Sequence, residues 1–539
     1  MTRVWAPLAR RVELDAEGRR EEMTPGDGGW WTGRELPPGT DYGFVLDGED
    51  DVLPDPRSPE QPYGVHGRSR TVDHGAFAWT PFTPKPLAEC VVYELHVGTF
   101  TPEGTFDSAV ERLDHVVALG ADAVELLPVN EFSGRHGWGY DGVDLYAPHS
   151  AYGGPEGLKR LVEACHARGL AVVMDVVYNH LGPSGNYLGR FGPYFTERYR
   201  TPWGPAVNYD DEGSDEVRAF VVDNALMWLD DYHCDGLRLD AVHAIFDQSA
   251  LHLLEEISAA AGDRWVIAES DLNDPRVVTP RERNGLGCDA QWSDDFHHAL
   301  HAALTGERDG YYADFGPAEH VAKALRGAYV YDGQHAAYRG RRHGRPVGDL
   351  PATAFLGYLQ DHDQIGNRAT GERSSHLLAD HLLKVGAALV LTSPFVPMLF
   401  MGEEWGASTP WQYFTDHEDA GLADAVRKGR REEFRAFGWD PEEVPDPQDP
   451  ATFQRSKLRW DEVEEPRHAD LLDWHRRLIA LRRAEPGLRD GSFADASVDG
   501  SVLTVRRNGI EVVADLGGGE VAATGDVLLA DRSVVVRRA

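Results

Sequence analysis

The chain has 539 residues with 42% hydrophobic and 10% aromatic content, enough for about two to four packed domains and too much for global disorder. Its net charge of −36 argues against nucleic acid or an anionic membrane as a partner, because both require a basic surface. Four widely spaced cysteines, no apolar run of about 18 residues and no secretion signal predict a cytoplasmic protein with free thiols and no membrane span.

Residues 1–86 have the pattern of a β-sandwich. Short apolar runs alternate there with Gly, Pro and Asp clusters, as in GWWTGRELPPGTDYGFVLDGEDDVLPDP. The stretch PFTPKP, residues 81–86, predicts an extended linker, because successive prolines favour an extended backbone.

Between residues 87 and 485, short apolar runs alternate with helical patterns. The runs are CVVYELHV, DAVELLPV, LAVVMDVVYN, DGLRLD, WVIAES, CDAQW, FLGYLQDHD and FVPMLFMG. Among the helical segments, one has Pro155 near its start and Gly169 as its stop, and another has Ser214 as its expected N-cap. Strand-then-helix units of this number predict a (β/α)₈ TIM barrel as the catalytic domain. A doubly wound sheet is the alternative, but no GxGxxG follows an early strand.

The segment HADLLDWHRRLIALRRAEPG has the pattern of the last barrel helix. After it, SVLTVRRNG, IEVVADLG and VLLADRSVVVRRA predict a small C-terminal β domain over residues 486–539. We therefore expect three domains, with bounds 1–86, 87–485 and 486–539.

Polar side chains end four of the predicted barrel strands. They are Asp175, Tyr178, Asn179 and His180 after the third, Arg238 and Asp240 at the fourth, Glu269 at the fifth, and Asp361, His362 and Asp363 at the seventh. The carboxyl ends of barrel strands meet at one rim, where barrel enzymes place their active sites. A single aspartate at a strand end is most often a helix cap, but a whole ring of such residues favours a functional site.

Three chemistries use such a ring: metal binding, acyl transfer and glycoside cleavage. Acyl transfer is disfavoured because no GxSxG elbow follows a strand. Glycoside cleavage needs one ionised carboxylate and one protonated carboxylic acid. Arg238 favours the ionised form of Asp240, and the apolar run WVIA favours the protonated form of Glu269. A metal site has less need of the arginine.

The motifs DVVYNH, GLRLD, AES and DHD, in this order, resemble those of the α-amylase superfamily of glycoside hydrolases. The resemblance implies a retaining double displacement on α-glucans without an organic cofactor or a catalytic metal. It implies Asp240 as the nucleophile, Glu269 as the acid/base and Asp363 as the carboxylate that stabilises the transition state. The residues implied for the sugar subsite at the cleaved bond are Asp175, His180, Arg238 and His362, with Tyr140 of HGWGYDGVDLYAP stacked on the ring.

Asp361 differs from the residue that many superfamily members have at its position, and Asn179 has a second interpretation. Asp361 stands where an asparagine often precedes the histidine–aspartate pair, which adds a charge near the site. Asn179 occupies a position that is part of a calcium site in many relatives. We expect Asn179 to hydrogen-bond its own loop instead.

The loops narrow the resemblance to the maltooligosyltrehalose trehalohydrolase family. The segments that carry it include LGPSGNYLGRFGPYFTERYRTPWGPAVNYD, QWSDDFHHAL, DHDQIGNRATGER and FTDHEDAGLADAVRKGRREEF, with VWAP and PDPRSPEQPYGVHGRS near the N-terminus. The N-terminal segment also resembles the carbohydrate-binding module of branching and debranching enzymes. The resemblance implies hydrolysis of the α-1,4 bond next to the terminal trehalose of maltooligosyl trehalose, in a pathway with a maltooligosyl trehalose synthase.

Recognition of trehalose on the leaving side of the bond is expected from two segments, the long loop after the third strand and SDDFHH, and from His243 near the nucleophile, for which a local structural hydrogen bond is the alternative. His243 follows the nucleophile, and Asp295 and His298 belong to SDDFHH, which follows a strand on the same rim. The candidates in the loop are Phe191, Tyr194, Phe195 and Trp203, with loop packing as the alternative, and SDDFHH adds Asp294 and His297. Two rival functions remain at this stage, a glycogen branching enzyme and a non-catalytic glucan-binding protein. Asp240, Glu269 and Asp363 are all present, which argues against the second.

Overall fold

In a computed structural model that describes residues 1–436 and 443–539, parallel strands close into a central barrel of eight. Each strand pairs with its neighbour in chain order, and the last pairs with the first. Named β1 to β8, they are Val92–Leu95, Ala123–Leu126, Ala171–Val176, Gly236–Leu239, Trp265–Ala268, Ala290–Trp292, Phe355–Gly357 and Val396–Phe400. Each lies within a run expected to form a strand, so the predicted TIM barrel is confirmed.

Helices surround the barrel. The α-helices are Val97–Phe100, Phe106–Val110, Leu113–Leu119, Gly154–His166, Leu188–Phe191, Ser214–Leu226, Leu253–Ala261, Asp294–Thr305, Ala318–Gly327, His362–Gly366, Ser374–Leu377, Asp380–Leu391, Ala420–Ala436, Pro450–Arg455 and Pro466–Ala484. Pro155 lies in the first turn of its helix, as expected. The prediction that Ser214 is an N-cap is wrong by one residue, because Gly213 precedes the first helical residue with a left-handed backbone (φ 78°). No helix of the described ranges is long and apolar enough to cross a membrane.

The N-terminal segment forms two antiparallel sheets, as a sandwich requires. One contains Arg3–Trp5, Trp30–Thr32 and Thr24–Pro25, and the other contains Arg19–Glu22, Val12–Ala16, Asp41–Leu46 and Ser69–Arg70. Side chains of both sheets, including Val4, Leu14, Trp31 and Phe44, belong to the main hydrophobic core.

The C-terminal segment forms one antiparallel sheet, which confirms the expected β region there. Its strands, in spatial order, are Asp495–Asp499, Val502–Arg507, Ile510–Asp515, Val534–Arg538 and Asp526–Asp531. All four cysteines of the chain are buried and free, as expected.

The barrel interior changes from apolar to polar towards the carboxyl ends of its strands. An apolar cluster that includes Val92, Ala123, Val173, Ile267 and Trp292 fills the lower part. Two residues further along β1, β2 and β3 lie Glu94, Glu125 and Asp175, which share a face with that cluster because side chains alternate with period two. On β4 the same face carries Arg238, paired in register with Asp175.

Candidate active site

Arg238 joins three carboxylates at the top of the barrel. One guanidinium nitrogen, Nη1, donates to Asp175 at 2.8 Å and to Asp240 at 3.0 Å, and the other, Nη2, donates to Glu269 at 2.8 Å. The side chain is fully buried, and its guanidinium lies 4.2 Å from the ring centroid of Trp292. Burial opposes the charge, but the acidic neighbours, Asp175 first, raise the pKa of Arg238 above its usual value. A permanently charged group therefore lies between the carboxylates expected to act in catalysis.

Asp240 accepts from two directions. Nδ2 of Asn179 donates to its carboxylate at 2.7 Å and to its backbone oxygen at 2.9 Å, opposite the bond from Arg238. The oxygen of the same amide contacts Nδ1 of His180 at 2.6 Å. Asn179 thus binds the carboxylate of Asp240, in addition to making the expected hydrogen bond within its own loop. Both ends of its amide have partners within the protein.

The surroundings of Glu269 differ from those expected. Its Oε2 accepts from Arg238 and from the backbone N–H of Ala241 at 2.9 Å, so the carboxyl group lies beside a cation and an amide. The apolar WVIA run is therefore only part of the surroundings of Glu269. Ala241 has a left-handed backbone with φ 39°, a conformation that non-glycine residues rarely adopt. This turn directs its N–H at Glu269.

Tyr140 and His362 lie on the other side of Arg238. The hydroxyl of Tyr140 donates to Asp175 at 2.7 Å and contacts Nε2 of His362 at 2.8 Å. The two rings stack at 5.3 Å between centroids. Nδ1 of His362 donates to Glu94 at 2.5 Å. Tyr140 is half-buried, so part of its side chain remains exposed.

Asp363 and Asp361 have separate places in one short helix. Asp361 is the N-cap of His362–Gly366, and its Oδ1 accepts from the backbone N–H of Asp363 at 2.9 Å. Burial raises the pKa of Asp361 above its usual value. Its role is therefore to cap the helix, which an asparagine also performs well. The Asp363 side chain is 39% exposed, with its Oδ1 3.7 Å from Nε2 of His362.

His180 lies under an exposed aromatic ring. Its imidazole stacks on Trp203 with centroids 4.3 Å apart, and burial lowers the pKa of His180 to about 4. Trp203 is 52% exposed at the tip of the hairpin formed by Phe195–Thr201 and Gly204–Val207. Phe191 and Tyr194 of the same loop are buried, which supports packing as their role.

On the Glu269 side, His243 faces a carboxylate that the sequence did not single out. Its Nε2 lies 4.0 Å from Asp271, which also pairs with Arg339 at 2.9 Å. These neighbours outweigh burial and lower the pKa of Asp271.

Asp295 and His298 have contacts within the protein. Oδ2 of Asp295 accepts from the backbone N–H groups of Val330 and Tyr331, at 2.7 and 2.8 Å, and from the Asn273 amide at 2.8 Å. These bonds give Asp295 a structural role, so its contact with substrate stays a prediction. The His298 ring lies 4.9 Å from that of Tyr311, and burial lowers the pKa of His298 to about 3.

Asp294 precedes Asp295 in the same helix and is less buried than it. It is half-exposed one turn before His298, and burial and the charge of Glu269 raise its pKa above the usual value. Asp294 is thus a second acidic residue of this helix, and its Oδ1 accepts from the Tyr358 hydroxyl at 2.5 Å.

Glu94 and Glu125 are the buried carboxyl groups that were missed. They are direct neighbours in register on β1 and β2. Each interrupts an apolar strand, as Arg238 does, and this signal could have identified them. Both oxygens of Glu125 are buried without a hydrogen-bond partner, and burial raises the pKa of Glu125 well above its usual value.

Similarity to known proteins covers almost the whole chain. Residues 69–201 match the family model of the alpha amylase catalytic domain. The chain is 52% identical to a malto-oligosyltrehalose trehalohydrolase of a Rhizobium species over 95% of its length and 90% of that protein. Identity is also 52% to the protein of the same description from Arthrobacter ramosus, over 96% and 93% of the two chains.

The chain belongs to the malto-oligosyltrehalose trehalohydrolase family. A solved structure from Salmonella typhimurium, described as a candidate alpha amylase, superposes with a TM-score of 0.92 at 38% identity, over 99% of this chain and 97% of that one. A 1,4-alpha-glucan branching enzyme from Salinibacter ruber is only 27% identical, over 94% of this chain and 81% of that protein. Membership of the trehalohydrolase family, which consists of α-amylase-type glycoside hydrolases, is thus favoured over the branching-enzyme alternative.

Proposed function

We propose that the protein hydrolyses the α-1,4-glucosidic bond next to the terminal trehalose of maltooligosyl trehalose, releasing trehalose and a shorter maltooligosaccharide. One observation carries the chemistry: Arg238 holds Asp240 and Glu269 with adjacent nitrogens. A single guanidinium thus bridges two carboxyl groups. This arrangement suits a retaining glycosidase, in which the two catalytic carboxyl groups lie about 5–5.5 Å apart. The relatives' description supports the choice of substrate.

In the first step, Asp240 attacks the anomeric carbon of the glucose unit before trehalose. Hydrogen bonds from Arg238 and Asn179 hold this carboxylate in position for the attack. The bond to the trehalose oxygen breaks, and Glu269 donates the proton that this oxygen takes up. The product of the step is a glycosyl ester on Asp240 and free trehalose.

In the second step, a water molecule replaces trehalose beside Glu269. Glu269, now ionised, accepts a proton from the water as it attacks the same carbon, and the ester bond to Asp240 breaks. Inversion occurs twice, so the released sugar retains the α configuration. Water and the oligosaccharide are the only reactants, and no cofactor enters the scheme.

The remaining residues bind the sugar and stabilise the transition state. Asp363 is the partly exposed carboxylate assigned to the positive charge that develops on the sugar ring. Tyr140 is assigned to stacking on the ring, with His180, His362 and Asp175 around it. On the leaving side, His243 and His298 are assigned to trehalose.

The place of the reaction in metabolism follows from its substrate. A maltooligosyl trehalose synthase, which converts the reducing end of a maltooligosaccharide into trehalose, must supply it. We assign both enzymes to the cytoplasm, where α-glucans are stored.

The test compares three substrates with the same enzyme preparation: maltooligosyl trehalose, plain maltooligosaccharides and glycogen. Free trehalose is quantified after each incubation. We expect release from the first substrate and slow hydrolysis of the others. Activity on plain chains with no trehalose from the first substrate would contradict the proposal, and chain transfer to glycogen would revive the branching-enzyme alternative.

A further inference from the structure

A groove runs between the N-terminal segment and the barrel, away from the residues assigned to trehalose. We propose that this groove binds glucose units of the maltooligosaccharide chain remote from the cleaved bond. The inference rests on the proposed function and extends it, because it gives the N-terminal segment a direct role in choosing long substrates.

Two neighbouring cavities make up the groove. One, of about 580 Å³, is lined by residues 183–187 after β3 and by Asp419 and Leu422 after β8. The other, of about 470 Å³, is lined by residues 62–65 of the N-terminal segment and by Glu131 and Arg135 of the barrel. Both are lined by His66 and Glu418, so they form one continuous depression with walls from two parts of the chain.

Tyr63 offers a fixed aromatic surface at one wall. Its ring is 61% exposed, yet its hydroxyl donates to Asp41 at 2.9 Å and the Arg70 guanidinium lies 5.6 Å from its centroid. An exposed ring held in this way loses little conformational entropy when it binds a ligand. The apolar face of a sugar ring packs well on such a surface.

Polar groups complement the ring, as sugar hydroxyls require. Glu418 and Asp419 line the groove with carboxylates, and Glu131 lies buried behind it with both oxygens accepting from Ser150. His66 contacts the hydroxyl of Tyr187 at 2.7 Å across the groove. An aromatic wall beside acidic side chains matches a neutral polyhydroxylated ligand better than an anionic one.

Two short stretches of chain connect the lining of the groove to residues of the active site. Asp141, next to Tyr140, lies 3.8 Å from His417, and Glu418 follows directly. Pro183 follows His180 by three residues, which span at most about 11 Å. The groove therefore begins within reach of a sugar bound at Tyr140.

The direction in which the sugar chain lies across the active site determines which end of the substrate enters the groove. Glu269 must face the leaving trehalose, and it binds Nη2 of Arg238. Tyr140 lies beside Nη1, on the other nitrogen of the same guanidinium. The groove beyond Tyr140 thus faces the maltooligosaccharide that remains on the enzyme.

Tyr63→Ala tests the assignment through the chain length of the substrate. We expect kcat/KM to fall roughly tenfold for trehalose carrying a long maltooligosaccharide, as for the loss of one binding contact, and to stay unchanged for trehalose carrying one glucose. Tyr63→Phe keeps the ring and should retain activity on the long substrate.

Leu8→Ala is the matched control, since Leu8 is 60% exposed in the same N-terminal segment and lines neither cavity. It should affect neither substrate. An equal loss on both substrates, or no loss on the long one, would overturn the role of the groove. Failure of the wild-type protein to release trehalose from any substrate would instead contradict the proposed function.

Discussion

His362 and Glu94 form a buried, hydrogen-bonded pair across the barrel, with Nδ1 of the histidine donating to the carboxylate at 2.5 Å. Each side chain is only 1% exposed. Burial opposes the charge on the imidazole, but Glu94 and Asp363 raise the pKa of His362 to about 10. A charged His362 donates to the Tyr140 hydroxyl, which donates in turn to Asp175. One chain of hydrogen bonds thus connects β1 to the sugar-binding side of the site.

Stability should depend on this pair at alkaline pH. A raised folded-state pKa gives His362 a stabilising contribution that is complete below its ordinary value of 6.5 and is lost as pH rises through about 10. We expect Glu94→Gln to lower the free energy of unfolding by about 3–5 kcal/mol at neutral pH, as for a broken buried pair. The loss should become smaller towards pH 10, which urea unfolding across this range measures.

Glu125→Gln is the control for that experiment, because Glu125 is the neighbour of Glu94 in register and its carboxyl group already favours the neutral form. It should change stability little at any of these pH values. Equal losses in the two variants would show that the pair with His362 has no special energetic role.

Asp240→Asn should abolish turnover while preserving the fold. Loss of the nucleophile lowers kcat by roughly 10⁴-fold. Arg238 and Asn179 donate to separate oxygens of Asp240, so the amide oxygen of the variant still accepts from one of the two and the side chain keeps a partner. Thermal unfolding and initial rates measure the two effects. Asp114→Asn, at a side chain 83% exposed, serves as the control. Turnover like that of the wild type would remove Asp240 from the nucleophile role.

Glu269→Gln should separate proton donation from bond cleavage. We expect kcat on maltooligosyl trehalose to fall by about 10²–10⁴-fold, because the leaving oxygen receives no proton. A substrate whose leaving group needs no proton, such as a glycosyl fluoride, should still form the ester with Asp240 rapidly. Equal losses on both substrates would argue against Glu269 as the acid.

Arg238→Lys should be strongly destabilising in spite of the conserved charge. An ammonium group is compact and lacks the planar fork with which Arg238 reaches Asp240 and Glu269 through different nitrogens. A carboxylate left unpaired in the barrel costs about 3–5 kcal/mol. Urea unfolding measures this loss, and a variant as stable as the wild type would show that the three contacts are energetically redundant.

Asp295→Asn should lower stability, whereas Asp294→Asn should change catalysis. The first replaces the acceptor of three hydrogen bonds, two of them from the backbone of Val330 and Tyr331, and should cost about 1–3 kcal/mol of stability with little change in KM. The second should change kcat/KM with little change in stability. A KM effect confined to Asp295→Asn would restore it as a substrate ligand.

Much of the fold and the position of the site could be predicted from periodicity. Apolar runs identified each barrel strand, and a charged residue inside such a run, Arg238, indicated the face that meets the substrate. Glu94 is likewise a charged residue inside an apolar run. Applying the same rule to it would have extended the predicted site from the rim into the interior of the barrel.

Contacts between distant segments could not be predicted in this way. Whether Asp294 or Asp295 faces the cleft depends on the rotation of their helix, which neighbouring positions in a sequence do not determine. The surroundings of Glu269 depend on the turn after β4, because the N–H of Ala241 comes from a different strand.

The turn after β4 has a consequence for the evolution of specificity. The N–H of Ala241, the residue after the proposed nucleophile, binds the proposed acid, so backbone geometry helps to set the spacing of the two carboxyl groups. Spacing of this kind determines whether the anomeric configuration is retained or inverted. Loops such as the Trp203 hairpin and the groove at Tyr63 can therefore diverge to accept new glucans while the stereochemical outcome is inherited unchanged.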